Sequence, residues 1–399
     1  MAARRPIEAA SGDVLDEALV LWFPKPQSFT GEDVAELHVH GGMAVVAGVL
    51  DALAAEDGLR PADAGEFTRR AFENGKLDLT AAEGLADLVN AETEAQRLQA
   101  LRQLGGALGN IYESWRERLV RASGHLEATI DFSDEELPQD VDAQVYEDVG
   151  SLRREIDEHL SDEGRGERIR EGIRLAIIGP PNAGKSSILN MLAKRDAAIV
   201  SPHAGTTRDV IEVPLDVGGF PVIVADTAGM RDAAGEIEEE GVRRARTQAE
   251  MADLKLAIFD GALWPEVDTE TRSLVDGNTI VVVNKSDLGK VGETEDVGGM
   301  KALPISALTG RGVDGLMGCI EQAVRDRFSQ SESAGLTRVR HRTALMECEE
   351  ALARCTREAD VEVAAEDLRL AARALGRITG RVDVEDVLDV IFRDFCIGK

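Results

Sequence analysis

Aromatic side chains make up only 4% of this 399-residue chain, so its cores must be built from Leu, Val, Ile and Ala. Apolar residues still amount to 43%, enough for sizeable cores, and the length exceeds one ordinary domain, so two or three are expected. No run of about 18 uninterrupted apolar residues occurs, which argues against a membrane-spanning helix. Met1 to Ser11 carries Arg4 and Arg5 with no apolar run behind them, so a secretory signal is not expected. Cysteine is equally thin. Cys319, Cys348, Cys355 and Cys396 lack metal-ligand spacing, which argues against a disulfide framework and fits a reducing, cytoplasmic setting. Positive charge is short as well: 45 Lys and Arg against 74 Asp and Glu give a net charge of −29. A generic nucleic-acid binder needs a basic surface, so any RNA contact here must use a local patch or a partner. The same acidity suits a salty cytoplasm.

Three regions follow one another. In residues 1–75, Ala18 to Phe23 reads as a strand stopped by Pro24 and Pro26. Val34 to His40 reads as a second strand ending at Gly41-Gly42, and Met43 to Ala55 as a helix, giving a small α+β domain. From Lys76 long helices take over. Leu98, Leu101, Leu104, Leu108, Ile111, Trp115 and Leu119 form one helical stripe. Helical spacing returns from Arg338, with Leu368, Ala371, Leu375 and Ile378 in one stripe and Val384, Val387, Leu388, Ile391 and Phe395 in another. Between these halves, Ile173–Ile178, Val222–Ala225, Leu256–Phe259 and Thr279–Val283 alternate with helical runs, which indicates a parallel sheet covered by helices. The expected fold is an α/β domain at 166–327, inserted into an all-α domain split between 76–165 and 328–399.

Gly179-Pro-Pro-Asn-Ala-Gly-Lys185-Ser186 follows an apolar strand and precedes a helix, the context a phosphate-binding loop requires. Its expected contacts are Asn182, Ala183, Gly184, Lys185, Ser186 and Ser187, with Lys185 reaching the β and γ oxygens and the Ser186 hydroxyl on magnesium. Asp226, Thr227, Ala228 and Gly229 end another strand. Asp226 is placed to hold magnesium through water, and Gly229 to offer its N–H to the γ-phosphate. Asn284-Lys285-Ser-Asp287 ends a third strand, and the Asp287 carboxylate matches the two donors on the guanine edge. Adenine lacks those donors and would leave the carboxylate unpaired. Ser306, Ala307 and Leu308 can supply an N–H to guanine O6. Gly205-Thr-Thr-Arg-Asp209 stands where a switch should be. In this order the set specifies a GTPase, and the α/β domain is expected to be Ras-like. Ras-like proteins place Gln after the glycine of the Asp226–Gly229 motif; here Met230 occupies that position and cannot orient water. Help must come from elsewhere, from acidic residues among Glu236, Glu238, Glu239 and Glu240 and from a cation. Acidic residues also suit a helix start.

With these motifs placed, the chain resembles the bacterial tRNA-modification GTPase family MnmE, also called TrmE. The resemblance runs from Ser11 to Lys399. It is carried by Ser28-Phe-Thr-Gly-Glu-Asp33, His40-Gly-Gly42, Gly65-Glu-Phe-Thr68, Arg70-Ala-Phe72, Asn74-Gly-Lys-Leu-Asp-Leu79, the GTPase motifs and Phe395-Cys-Ile-Gly-Lys399. It implies a homodimer working with an FAD-dependent partner, MnmG, as a heterotetramer that modifies C5 of the tRNA wobble uridine. The G domains then pair across the dimer, and potassium replaces an arginine finger. Asn182, Ser201, His203 and Thr206 would hold potassium and Thr207 magnesium, with Ser201 and Thr206 also at the nucleotide. Glu238, twelve residues after Asp226, matches the water-orienting glutamate. A 5-formyltetrahydrofolate-type folate would meet Glu36, Lys76 and Lys399. The family begins with a Gly-rich strand ending in an arginine that this chain does not carry, so an incomplete folate domain and weak folate binding are expected. Cys396 has two readings, a part in the chemistry or packing beside Phe395. His38 and His40 read as structural, and Asp131–Glu136 as a solvated turn. The competing functional class is a ribosome-assembly GTPase acting on rRNA, which would normally carry a basic RNA module after the G domain.

Overall fold

The computed structural model describes residues 2–131, 141–162, 164–194, 212–226, 246–288, 296–329, 335–358, 360–382, 388, 391–392 and 395. The chain divides into two compact units. One comprises Met1–Val89, Leu101–Asp157 and Thr343–Lys399, the other Asn90–Ala100 and Glu158–Arg342.

The first unit opens on an antiparallel sheet of β1 (Ala2–Glu8), β2 (Val14–Phe23) and β3 (Val34–His38), in the order β1-β2-β3. The strand at Ala2–Glu8 has no counterpart in the sequence reading. Its apolar content is too low for an amphipathic pattern, and it is held by backbone pairing, Ala2 facing Leu21 and Ile7 facing Asp16, with an Arg4–Glu17 ion pair across the two strands. The helix α1 (Met43–Ala54) follows where expected, and α2 (Glu66–Glu73) and α3 (Leu79–Val89) lead into the helical part.

The single stripe from Leu98 to Leu119 is two helices, α4 (Glu94–Leu104) and α5 (Ala107–Asp131). Gly105-Gly106 parts them, with Gly106 at φ +84°. The break changes which leucines are inside: Leu98 and Leu101 are 36% and 40% exposed, whereas Leu108, Trp115 and Leu119 are buried. Two further helices of this unit, α6 (Val141–Leu160, which continues into the second unit) and α11 (Val339–Cys355, which begins there), are joined by Arg153 Nε to Glu349 Oε1 at 2.7 Å. The helix α12 (Val361–Thr379) is capped by Asp360, which accepts the Glu362 N–H at 2.9 Å, and stopped by Gly380 at φ +86°. Its stripe Leu368, Ala371, Leu375 and Ile378 is fully buried as expected, and α12 packs along α5. A separate cluster joins Leu79, Ala82 and Ala86 of α3 to Ile391, Phe392 and Phe395. Gly65, at φ +70°, fits beneath this cluster because a Cβ there would lie 2.5 Å from the Phe392 carbonyl oxygen.

The second unit is a seven-stranded sheet ordered β5-β6-β4-β7-β8-β10-β9. The strands are β4 (Ile173–Ile178), β5 (Glu212–Val217), β6 (Phe220–Asp226), β7 (Leu254–Asp260), β8 (Thr279–Asn284), β9 (Asp296–Val297) and β10 (Met300–Pro304). The four strands expected to form a parallel sheet do so, and β5 and β9, which the sequence did not announce, pair antiparallel at the two edges. Glu212–Val217 was not legible as a strand because Pro214 and Asp216 interrupt it, a composition an edge strand tolerates. The central strands are apolar on both faces. Leu256 and Ile258 join the core under α8 (Lys185–Ala193) and α10 (Val313–Phe328), and Ala257 and Phe259 join the core on the opposite face. A short helix, α9 (Thr269–Ser273), caps itself through Asp268.

The segment Asn90–Ala100 is stitched to this unit. Thr93 and Gln96 form a capping arrangement, the Gln96 Oε1 accepting the Glu92 and Thr93 N–H groups at 3.0 and 3.1 Å. The same side chain donates Nε2 to the Arg170 carbonyl at 3.1 Å, and the Ala95 N–H donates to the Gly219 carbonyl at 2.9 Å. Gln99 Nε2 donates to the Gly166 carbonyl, in α7 (Arg165–Glu171), at 2.8 Å. At the base of the unit Arg342 donates to Asp162 at 2.7 Å, to Glu167 at 3.2 Å and to the Leu160 carbonyl at 2.9 Å.

Candidate nucleotide site

The buried strand β4 ends at Ile178, and the chain turns through Gly179 to Gly184 before α8 begins. This turn needs unusual backbone: Asn182 lies at φ +63° and Gly184 at φ +97°. Lys185 arches back over it, donating Nζ to the Gly179 carbonyl at 2.8 Å and the Pro180 carbonyl at 3.0 Å. Ser186 and Ser187 are exposed on the first turn of α8, whose N–H groups and positive dipole end suit an anion.

Asn284 holds this loop in place. Its side chain is buried, donating Nδ2 to the Ala183 carbonyl at 2.9 Å while Oδ1 accepts the Ala307 N–H at 3.0 Å. One amide therefore ties together the phosphate-loop motif, the end of β8 and the Ser306–Leu308 loop, three segments far apart in sequence. The Ala307 donor, one candidate for guanine O6, is engaged by Asn284 in this structure. The Ser306 loop is closed on itself: its N–H donates to the Arg311 carbonyl at 2.9 Å and its Oγ accepts the Thr309 N–H at 3.2 Å. Leu308 is 88% exposed. Beside this loop and α8 runs a groove of about 320 Å³ lined by Ser187, Asn190, Met191, Lys194, Ala307, Gly310 and Val313.

Asp287 is exposed at the turn after β8. That turn is fixed by the Ser286 N–H donating to the Ile305 carbonyl at 2.9 Å and by Lys285 at φ +59°. Asp226 sits at the end of β6, paired in register with Ile177 of β4. Asp226, the phosphate loop, Asn284 and Ser306 thus all follow the carboxyl ends of neighbouring parallel strands, where open α/β sheets bind ligands.

Sequence reasoning missed Asp260. It ends β7 opposite Asn284 and meets Lys285, whose Nζ lies 2.6 Å from its Oδ2. Burial pushes its pKa up, but the Lys285 hydrogen bond, the Ala262 N–H and the Lys285 charge outweigh this and hold it below the usual carboxylate range. The available signal was an acidic residue closing a buried strand at the ligand edge of the sheet.

In the first unit, Glu36 lies on β3 with Oε2 3.0 Å from His38 Nε2. Lys76 donates to the Pro26 carbonyl at 3.0 Å. Two motifs of the resemblance meet here, since Asn74 Nδ2 donates to the Thr30 carbonyl at 2.9 Å. Glu66 is held at about 2 by the Arg60 hydrogen bond and the Asp63 N–H, with Arg70 adding to both. His40 pairs with Asp16 at 2.8 Å, so both histidines are engaged by carboxylates rather than gathered with other ligands. Burial raises the thiols of Cys348 and Cys355 to about 12 and about 11, which makes them inert packing residues. Ser201, His203, Thr206, Thr207, Thr227, Ala228, Gly229, Met230, Glu236, Glu238, Glu239, Glu240, Val384, Val387, Cys396 and Lys399, and the acidic run after Asp131, lie outside the described residues.

The MnmE helical domain family matches residues 79–396, and the family described as GTP-binding protein TrmE N-terminus matches residues 1–76. A tRNA modification GTPase MnmE from Paramagnetospirillum magneticum is 59% identical over 399 residues, covering 100% of this chain and 90% of that protein. The chain belongs to the MnmE family of tRNA modification GTPases. A zebrafish (Danio rerio) relative, the mitochondrial 5-taurinomethyluridine-[tRNA] synthase subunit GTPB3, is 49% identical over 415 residues, covering 98% of this chain and 83% of its own length. Among solved structures, the FeoB G-domain from Methanococcus jannaschii is 27% identical with a TM-score of 0.30, over 39% of this chain and 98% of its own. Like other MnmE proteins, the chain is a GTP hydrolase with a P-loop GTPase fold. No helix among the described residues is long and apolar enough to cross a membrane.

Proposed function

We propose that this chain hydrolyses GTP to drive C5 modification of the wobble uridine of tRNA, of the aminomethyl or carboxymethylaminomethyl type, together with an FAD-dependent protein of the MnmG type in the cytoplasm. The single observation that carries the GTP half is the Asn284 amide, which draws the phosphate loop, the base-reading turn and the Ser306 loop into one frame. The tRNA half rests on membership of the family. Unmodified wobble uridine in tRNA nucleosides from a deletion strain, restored by the gene, is the expected result. Normal tRNA in that strain would sink the reading.

Within the second unit Lys185 neutralises the β and γ oxygens, and the first-turn amides of α8 receive the phosphates. Ser186 and Thr207 would hold magnesium, with Asp226 as a further carboxylate for it, and the ion would add charge neutralisation to that of the lysine. Asn182, exposed in the loop at φ +63°, would hold a monovalent cation together with Ser201, His203 and Thr206. Glu238 takes over the water-orienting task that Met230 cannot perform. Turnover is therefore expected to be at least about tenfold faster in potassium chloride than in sodium chloride at matched ionic strength, the scale of a missing charge in the transition state. Equal rates in both salts would remove the cation from the scheme.

The first unit supports a homodimer. Its α1 leaves Met43 89% and Leu50 60% exposed, and Trp22 on β2 is 46% exposed, large apolar side chains that suit cover by a second copy. The division into a folate-type domain at 1–75, a helical domain at 76–165 and 328–399 and a G domain at 166–327 belongs to the same reading. Glu36 and Lys76, with Lys399, supply the acceptor and cations that the donor edge and glutamate tail of a folate require.

A further inference from the structure

We propose that Asp260 is a positioning residue for the guanine nucleotide, acting through Lys285; this rests on the assignment of the Asn284–Asp287 turn to the base. Asp260 belongs to none of the GTPase motifs, yet it closes the back of that turn.

The turn is built under strain. Lys285 sits in the left-handed region, at φ +59°, which a residue with a side chain holds only where its surroundings fix it. On one side the fixing comes from backbone: the Gly261 N–H donates to the Asn284 carbonyl at 2.7 Å, and a Cβ on Gly261 would lie 2.6 Å from that oxygen. On the other side it comes from one side chain. Asp260 Oδ2 takes the Lys285 ammonium at 2.6 Å, while Oδ1 accepts the Ala262 N–H at 2.9 Å, so the carboxylate itself cannot rotate away. Two residues beyond Lys285 stands Asp287, whose direction is set by this turn. A held Lys285 keeps the backbone in its left-handed bend, and the bend aims Asp287. Binding then carries little ordering cost, which is how preorganisation raises affinity.

Charge alone makes the opposite prediction. Removing the Asp260 carboxylate leaves the Lys285 ammonium without its counter-charge, and an extra net positive charge at the site of an anionic nucleotide should tighten binding. The two effects have opposite signs, so the experiment separates them.

The measurement is titration of the full-length protein with fluorescent GDP and GTP analogues, together with steady-state GTP hydrolysis, for Asp260→Asn, Asp260→Glu, Lys285→Met and the Asp260→Asn/Lys285→Met double variant. Loss of one charge-assisted contact in the turn corresponds to about a tenfold weaker affinity for Asp260→Asn, with KM rising by the same factor and kcat falling far less. Asp260→Glu should recover most of the affinity, and the double variant should be no weaker than Lys285→Met alone. Binding by Asp260→Asn as tight as, or tighter than, the parent overturns the proposal, and so does full additivity in the double variant. Should Asp260→Asn fail to fold, the comparison of Asp260→Glu with Lys285→Met still decides: a Glu variant as weak as the Met variant overturns it. An Asp287→Asn protein that keeps the parent's preference for GTP over xanthosine triphosphate would show instead that the base assignment beneath the proposal is wrong.

Discussion

An Asp287→Asn variant should lose GTP and gain xanthosine triphosphate, with GTP affinity falling on the order of a thousandfold. Guanine presents N1–H and a 2-amino group, both donors, and a carboxylate accepts both. An amide in its place still accepts one but turns its NH2 toward the other donor. Xanthine carries an oxygen at C2, which accepts from that NH2, so the mismatch becomes a match. The structure makes the variant clean. Asp287 is exposed and the turn is held by its neighbours, through Ser286 to Ile305 and through Lys285, so thermal stability should hardly move. Titration with the two triphosphates, side by side, decides the matter. Retained GTP affinity with no gain for the xanthine nucleotide would detach Asp287 from the base.

Gly184→Ala should abolish measurable nucleotide binding, a loss of at least about a hundredfold, and lower the melting temperature by several degrees. Two physical effects coincide. The residue sits at φ +97°, which is strained for any side chain, and its Cβ would arrive 2.2 Å from Asn284 Nδ2. The obstacle is a buried amide that already serves Ala183 and Ala307, so relief of the clash breaks one or both of those bonds, at about 1–3 kcal/mol for each buried polar group left unpaired. Gly315→Ala is the matched control, because that position has ordinary backbone and nothing within 4 Å of the added methyl. It should bind GTP like the parent. Normal GTP affinity in Gly184→Ala would mean that the loop tolerates a different backbone than the one seen.

The phosphate-loop segment was legible because its chemistry is local. Glycines at fixed offsets, a lysine and a hydroxyl after an apolar strand leave few alternatives, and the observed strand, turn and helix follow that order. The buried strands of the second unit were legible for a related reason, since their continuous apolar runs are what a covered parallel sheet demands. What escaped is held by partners distant in sequence. The strand Ala2–Glu8 exists because β2 offers it a ladder, and nothing in Ala-Ala-Arg-Arg-Pro-Ile-Glu announces that. The stripe through Leu98 and Leu119 kept helical spacing across Gly105-Gly106 closely enough to hide the break. Asp260 was invisible for the same cause: its meaning comes from Lys285, in the turn that follows the next strand of the sheet. Asn284 was visible as a motif member, but its work as a tie between two loops could be read only from the hydrogen bonds its amide makes.

The grip of Arg342 on Leu160, Asp162 and Glu167 has a genetic consequence. It brings the two ends of the stretch from Glu158 to Arg342 to one point, so that this stretch is a cassette whose entry and exit nearly coincide. A gene could acquire such a cassette in the middle of an existing helical protein with little loop-closure entropy to overcome, because the incoming termini span almost no distance. The cassette is nevertheless not self-contained. Residues 90–100, encoded well upstream, cap the Gly219 carbonyl and hold Arg170 and Gly166. Once host residues had taken on those bonds, excising the cassette at its own ends would leave three donors, the Ala95 N–H and the Gln96 and Gln99 side-chain amides, without their acceptors, and the insertion would have become hard to reverse.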